Sequence, residues 1–93
     1  MMDETQLDLV REQINGIDEQ LLELLNRRAN LALKACAVKD GDAPIYDPAR
    51  ESEVLTRTVA LNKGPLPKGS VEDIYATIIT ACRELQLRNK TGE

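Results

Sequence analysis

Histidine, tryptophan and phenylalanine are absent from this chain of 93 residues, and two tyrosines are its only aromatic side chains. Without histidine, the side chain that ordinarily titrates near neutral pH and most often ligates metals is missing. The two cysteines, Cys36 and Cys82, lie far apart and form no CxxC pair. Neither a zinc cluster nor a dithiol redox motif is expected, and both read as buried free thiols of a reducing compartment. No phosphate-binding glycine loop occurs, so no metal and no cofactor is expected. A formal net charge of −4 argues against nucleic acid as a partner. No apolar run approaches membrane-spanning length, and the opening Met1–Val10 lacks the basic-then-apolar order of a secretory signal. The expected compartment is the cytoplasm, with no membrane association.

What the chain has is a helical seam. From Gln6 to Lys39, alternating steps of three and four visit Leu7, Val10, Ile14, Ile17, Leu21, Leu24, Arg28, Leu31, Ala35 and Val38, all apolar but one. A repeat of about 3.5 residues is the pattern of a helix packed along its length against others. Thr5, with Asp8 following, reads as its N-cap. Gly16 is its one weak helix former. Such a helix would be about 51 Å long, whereas a compact globule of this size has a radius of gyration of about 12 Å. The rest of the chain is too short to cover it, and a second copy is the expected remedy: an obligate homodimer.

Turn formers at Asp40–Pro44 break the first helix, and Asp47-Pro48 opens a second, with Asp as N-cap and Pro at the first helical position. Val54, Leu55 and Leu61 are expected on its inward face, with Thr58 between them and Glu51 on the same side. Asn62-Lys63-Gly64-Pro65 ends it. Ser70 with Asp73 reads as the cap of a third helix whose stripe is Val71, Ile74, Ile78, Ala81 and Leu85. Cys82 and Gln86 lie a turn apart beside that stripe, and the residues after Arg88 read as frayed. The expected architecture is all-α: helices at about 6–39, 48–63 and 70–88, in one domain over 1–93.

Several polar residues are out of place in this scheme. Arg28 interrupts the seam, and a charge there needs an acid from another helix, a snorkelling route to water, or an anionic ligand. Lys39 follows about 16 Å along the helix axis and about 20° around it, so both cations can reach toward one small anion. Arg11 lies about 25 Å from Arg28 along the same helix, beyond reach of one ligand within a single copy. In an antiparallel pair of long helices, Arg11 of one protomer can approach Arg28 and Lys39 of the other. Glu51 and Gln86 add a carboxylate and an amide from inward faces. Together they describe a cationic pocket without a nucleophile–base pair, suited to a dianionic molecule that rearranges without covalent help.

The same residues carry a family resemblance. Leu9–Ile14, Ile17–Arg28, Lys39, Tyr46–Glu51 and Ile78–Gln86 resemble the all-helical chorismate mutases, an intertwined-dimer class found alone or fused to prephenate dehydratase and related enzymes. The ordered set Arg11, Asp18-x-x-Leu21-Leu22, Arg27-Arg28, Lys39, Asp47-x-x-Arg50-Glu51, Gln86 makes the resemblance specific over nearly the whole chain.

It implies an intertwined homodimer that rearranges chorismate to prephenate in phenylalanine and tyrosine biosynthesis, alone or as part of a fusion with another aromatic-pathway domain. It also implies the roles. Arg28 and Arg11 of the partner subunit clamp the substrate carboxylates, and Lys39 and Gln86 hydrogen-bond the ether oxygen. Glu51 and the helix start at Asp47 hold the ring hydroxyl, with Arg50 supporting the polar wall. Cys82 stands where the family commonly has serine; a thiol is a weak donor, so weaker substrate binding is expected there. Two other readings compete: an isochorismate-pyruvate lyase on the same scaffold, and a non-catalytic helical dimerisation or regulatory module. The module accounts for the seam but leaves Arg28, Lys39, Glu51 and Gln86 without a common purpose.

Overall fold

The computed structural model describes residues 3–38 and 45–92. In chain order the elements are α1 (Glu4–Val38), α2 (Pro48–Leu61) and α3 (Lys68–Thr91), and no strand occurs among the described residues. The chain divides into two units, Met1–Asn30 and Leu31–Glu93.

The first unit holds α1 as far as Asn30. Its start is fixed by a reciprocal lock: Gln6 N donates to Asp3 Oδ1 at 2.8 Å, and Asp3 N donates to Gln6 Oε1 at 2.9 Å. This is the capping-box arrangement with aspartate and glutamine, so the cap is Asp3 and not Thr5, and the helix starts two residues earlier than expected. Most of the seam in this unit is exposed. Leu7, Ile14, Ile17, Leu21 and Leu24 are exposed, Leu24 at 55%, while Val10 and Arg28 are half-buried.

In the second unit, α2 and α3 pack against each other. Asp47 caps α2 as expected, its Oδ1 accepting from Arg50 N at 3.1 Å, and Pro48 occupies the first turn where no partner for its nitrogen is needed. The corner between the helices is tied by Asn62. Its Oδ1 accepts from Gly64 N at 3.0 Å and its Nδ2 donates to Leu66 O at 2.8 Å. Gly64 has φ 77°, a conformation that suits glycine. Ser70 does not cap α3; the helix begins at Lys68, with Pro67 as an extended N-cap that makes no side-chain bond. The far end is not frayed at Arg88 but runs to Thr91 and closes on Gly92 at φ 82°.

The core of this unit is small: Val71, Ile79 and Cys82 are buried, all on α3. Val54, Leu55, Thr58 and Val59 of α2 are half-buried, and Thr58 Oγ1 is satisfied by Leu55 O. Leu61, expected inward, is exposed. Cys36 is half-buried, not buried. On α3 Val71, Ile79 and Cys82 are the buried positions and Tyr75 and Gln86 are half-buried; of the expected stripe Val71 is buried, Ile78 and Leu85 are half-buried, and Ile74 and Ala81 lie open. The covered face thus takes in part of the expected stripe together with the positions one residue further on. Hydrophobic periodicity alone does not say which of two apolar faces the chain covers itself.

Candidate active site

The polar residues singled out from the sequence are distributed over both units and the stretch between α1 and α2. Lys39 lies outside the described residues. In the first unit, Arg28 is half-buried and engaged, and Arg11 is exposed, 4.0 Å from Asp8 on its own helix. An exposed pair of this kind contributes little to stability and leaves the arginine able to turn to another partner.

The second unit gathers the remainder. Glu51 stands in the first turn of α2, where the Asp47 cap sets the backbone. Its carboxylate faces α3 and is met there by Arg83, whose Nη1 donates to Oε1 at 2.9 Å and to Oε2 at 2.7 Å. The pair is shielded, with Arg83 and Glu51 side chains 28% and 24% exposed. The other side of the guanidinium is covered by Tyr46, with the Arg83 Cζ 4.8 Å from the ring centroid, a cation–π distance. Arg50 points away into solvent and pairs with Glu53 at 3.0 Å. Asp47 is committed to the cap.

Gln86 and Cys82 follow one another on the covered face of α3. Gln86 Nε2 donates to Ala32 O on the last turns of α1 at 2.7 Å, which fixes the amide and leaves its second N–H available to a ligand. Cys82, a turn earlier, is buried and in no disulfide. Among the described residues no buried side-chain nitrogen or oxygen is without a partner, and no group of three or more metal-ligating side chains occurs. Chemically the described residues of this unit offer a held amide donor and a held carboxylate acceptor. Such a pair can orient a ligand's oxygens.

Arg83 was not among the residues singled out from the sequence. The signal for it exists: an inward carboxylate needs a cation, and between Val71 and Leu87 the third helix has no other lysine or arginine.

Comparison with known proteins identifies the family of the chain. The family model for chorismate mutase type II matches residues 10–87. The chain belongs to the chorismate mutase type II family. Within that family it is 39% identical, over 92% of its own length, to the bifunctional chorismate mutase/prephenate dehydratase of Pseudomonas aeruginosa. It is 38% identical, over 94% of its length, to the protein of the same description from Aquifex aeolicus. The chain spans only 25% of each of these relatives. Among solved structures it resembles the chorismate mutase of Helicobacter pylori in complex with prephenate, with a TM-score of 0.87 and 30% identity. That match covers 97% of this chain and 98% of the other. All three helices therefore belong to the mutase-type fold. Among the described residues no helix is long and apolar enough to cross a membrane.

Proposed function

We propose that this chain is a chorismate mutase, converting chorismate to prephenate in the synthesis of phenylalanine and tyrosine. The observation that carries the reading is end-to-end likeness, at 30% identity, to a chorismate mutase whose structure holds prephenate. The reaction is a unimolecular Claisen rearrangement in which one C–C bond forms as one ether C–O bond breaks. It needs no covalent intermediate. The protein selects the folded diaxial conformer of the substrate, which removes an entropic part of the barrier. It then stabilises the negative charge that builds on the ether oxygen.

In this reading Arg28 and Arg11 of the partner subunit hold the two substrate carboxylates. Lys39 and Gln86 donate to the ether oxygen. Glu51 and the helix start at Asp47 hold the ring hydroxyl, and Arg50 supports the polar wall. Cys82 contributes a weak donor where a hydroxyl would serve better. The bond from Gln86 to Ala32 supports its part: a donor already oriented before the reaction costs no reorganisation in the transition state.

The functional unit is a homodimer of single helical domains in the cytoplasm. The exposed seam of Leu7, Ile14, Ile17, Leu21 and Leu24 supports it, because an apolar line of this length is a surface for another helix. The bifunctional relatives support an arrangement in which this domain works beside a prephenate dehydratase domain. The deciding experiment is to add chorismate to the purified protein and follow its absorbance. A steady fall with prephenate as product is expected; a flat trace would sink the enzyme reading and favour a dimerisation module.

A further inference from the structure

We propose that Arg83 is a positioning residue for Glu51, holding its carboxylate in one rotamer and offsetting its charge toward the dianionic substrate. The proposal rests on the mutase reading above and concerns a residue to which that reading assigns no part.

The geometry has three components. First, Arg83 touches Glu51 through a single nitrogen that reaches both oxygens, at 2.9 and 2.7 Å. A carboxylate has roughly four lone-pair directions, and one end-on nitrogen occupies only those facing it. The carboxylate is thereby oriented without being saturated, and its remaining lone pairs stay available to accept from a hydroxyl. Second, the guanidinium is held in turn. Tyr46, the residue before the α2 cap, lies against it at 4.8 Å, and Glu51 sits on the other side of the cap. The α2 start and the middle of α3 thus fix one cation from two directions across a sequence separation of 32 residues. Third, the charge requires it. A substrate with two carboxylates is repelled by a third at the wall of its site. The half-shielded position of Glu51 means that water screens this repulsion incompletely. Arg83 is the cation bonded to that carboxylate. A purely structural bridge would stabilise the α2–α3 pair and leave substrate binding alone. A positioning residue changes binding of the anion.

Steady-state kinetics on the full chain, with chorismate as substrate and helicity and melting followed in parallel, separate these roles. Arg83→Gln is expected to raise KM about tenfold, with kcat within about threefold of wild type, because it leaves an uncompensated carboxylate beside the anion. Arg83→Lys restores the charge and is expected to recover most of the loss. The double variant E51Q/R83Q removes the stranded charge and is expected to bind substrate more tightly than R83Q by itself. Should R83Q not fold, Arg83→Lys is compared with wild type directly: KM within about threefold is expected, and a rise of about tenfold with the fold intact would overturn the proposal. Unchanged KM in a folded R83Q, no recovery with Arg83→Lys, or a double variant that binds no better than R83Q would each overturn the proposal. A wild-type protein without mutase turnover brings down the underlying reading, and the positioning role with it. Active wild type with indifferent Arg83 variants brings down the positioning role alone.

Discussion

Gln86 donates to the carbonyl of Ala32 at 2.7 Å, and this bond decides what the position tolerates. A glutamate there would set an acceptor against an acceptor, and only its protonated form can donate to Ala32 or to a substrate oxygen. In Gln86→Glu, turnover is therefore expected below the pKa of the introduced acid and is lost as pH rises through it. Wild type, with an amide that does not titrate, has no such acid requirement. A profile of kcat/KM against pH tests this, and superimposable profiles would remove Gln86 as a donor. At the same scale, Glu51 was legible in the sequence as an inward carboxylate, because its spacing to Val54 and Leu55 puts it on their side of the helix. Its partner was not legible by spacing, since Arg83 lies 32 residues away. Only the satisfaction rule for buried charge points to it. Lys39 lies outside the described residues, so its part in the site rests on family resemblance.

The α2 helix carries the clearest punctuation in the chain, and its start was legible to the residue. Asp47 and Pro48 each solve a separate problem of the first turn: one accepts from an orphan N–H and the other has none to offer. Replacing Asp47 by alanine is expected to cost about 1 kcal/mol, read as a lower melting temperature with helix content nearly unchanged. An unaltered melt would mean that the Glu51–Arg83 bridge holds the turn unaided. The other helix starts were less legible, for physical reasons. At α1 two residues satisfy each other reciprocally, and Asp3-x-x-Gln6 is a complete capping box that Thr5 and Asp8 only imitate. At α3 the extended backbone of Pro67 launches the helix, and Val71 N reaches back to Pro67 O at 3.1 Å, so Ser70 is already inside. The α3 face was legible only in part, its most buried positions Ile79 and Cys82 lying one residue beyond the expected stripe, because this helix has apolar side chains on more than one side. Ile74 and Ala81, open here, remain available to a neighbour outside the unit.

For the whole molecule, the seam was legible from its period, and its members from Leu7 to Leu24 are exposed apart from Val10; the second copy expected to cover them remains the proposal made above. The proposed sharing of each site between Arg28 of one chain and Arg11 of the other leads to a complementation test. Arg11→Ala and Arg28→Ala homodimers should each lose turnover, since every site then lacks one clamp. A mixed dimer assembles one site with both clamps intact, so exchanging subunits between the two dead proteins should restore activity. Mixtures that exchange yet remain inactive would refute a site shared between chains. The exposed line from Leu7 to Leu24 has a further consequence. In the proposed dimer a second copy covers this line, so resistance to heat would depend on abundance. By mass action, the temperature at which it melts should fall with each dilution. Melting curves across a thousandfold span of concentration read this directly, and in the cell it makes the survival of each newly made chain depend on how soon it meets another.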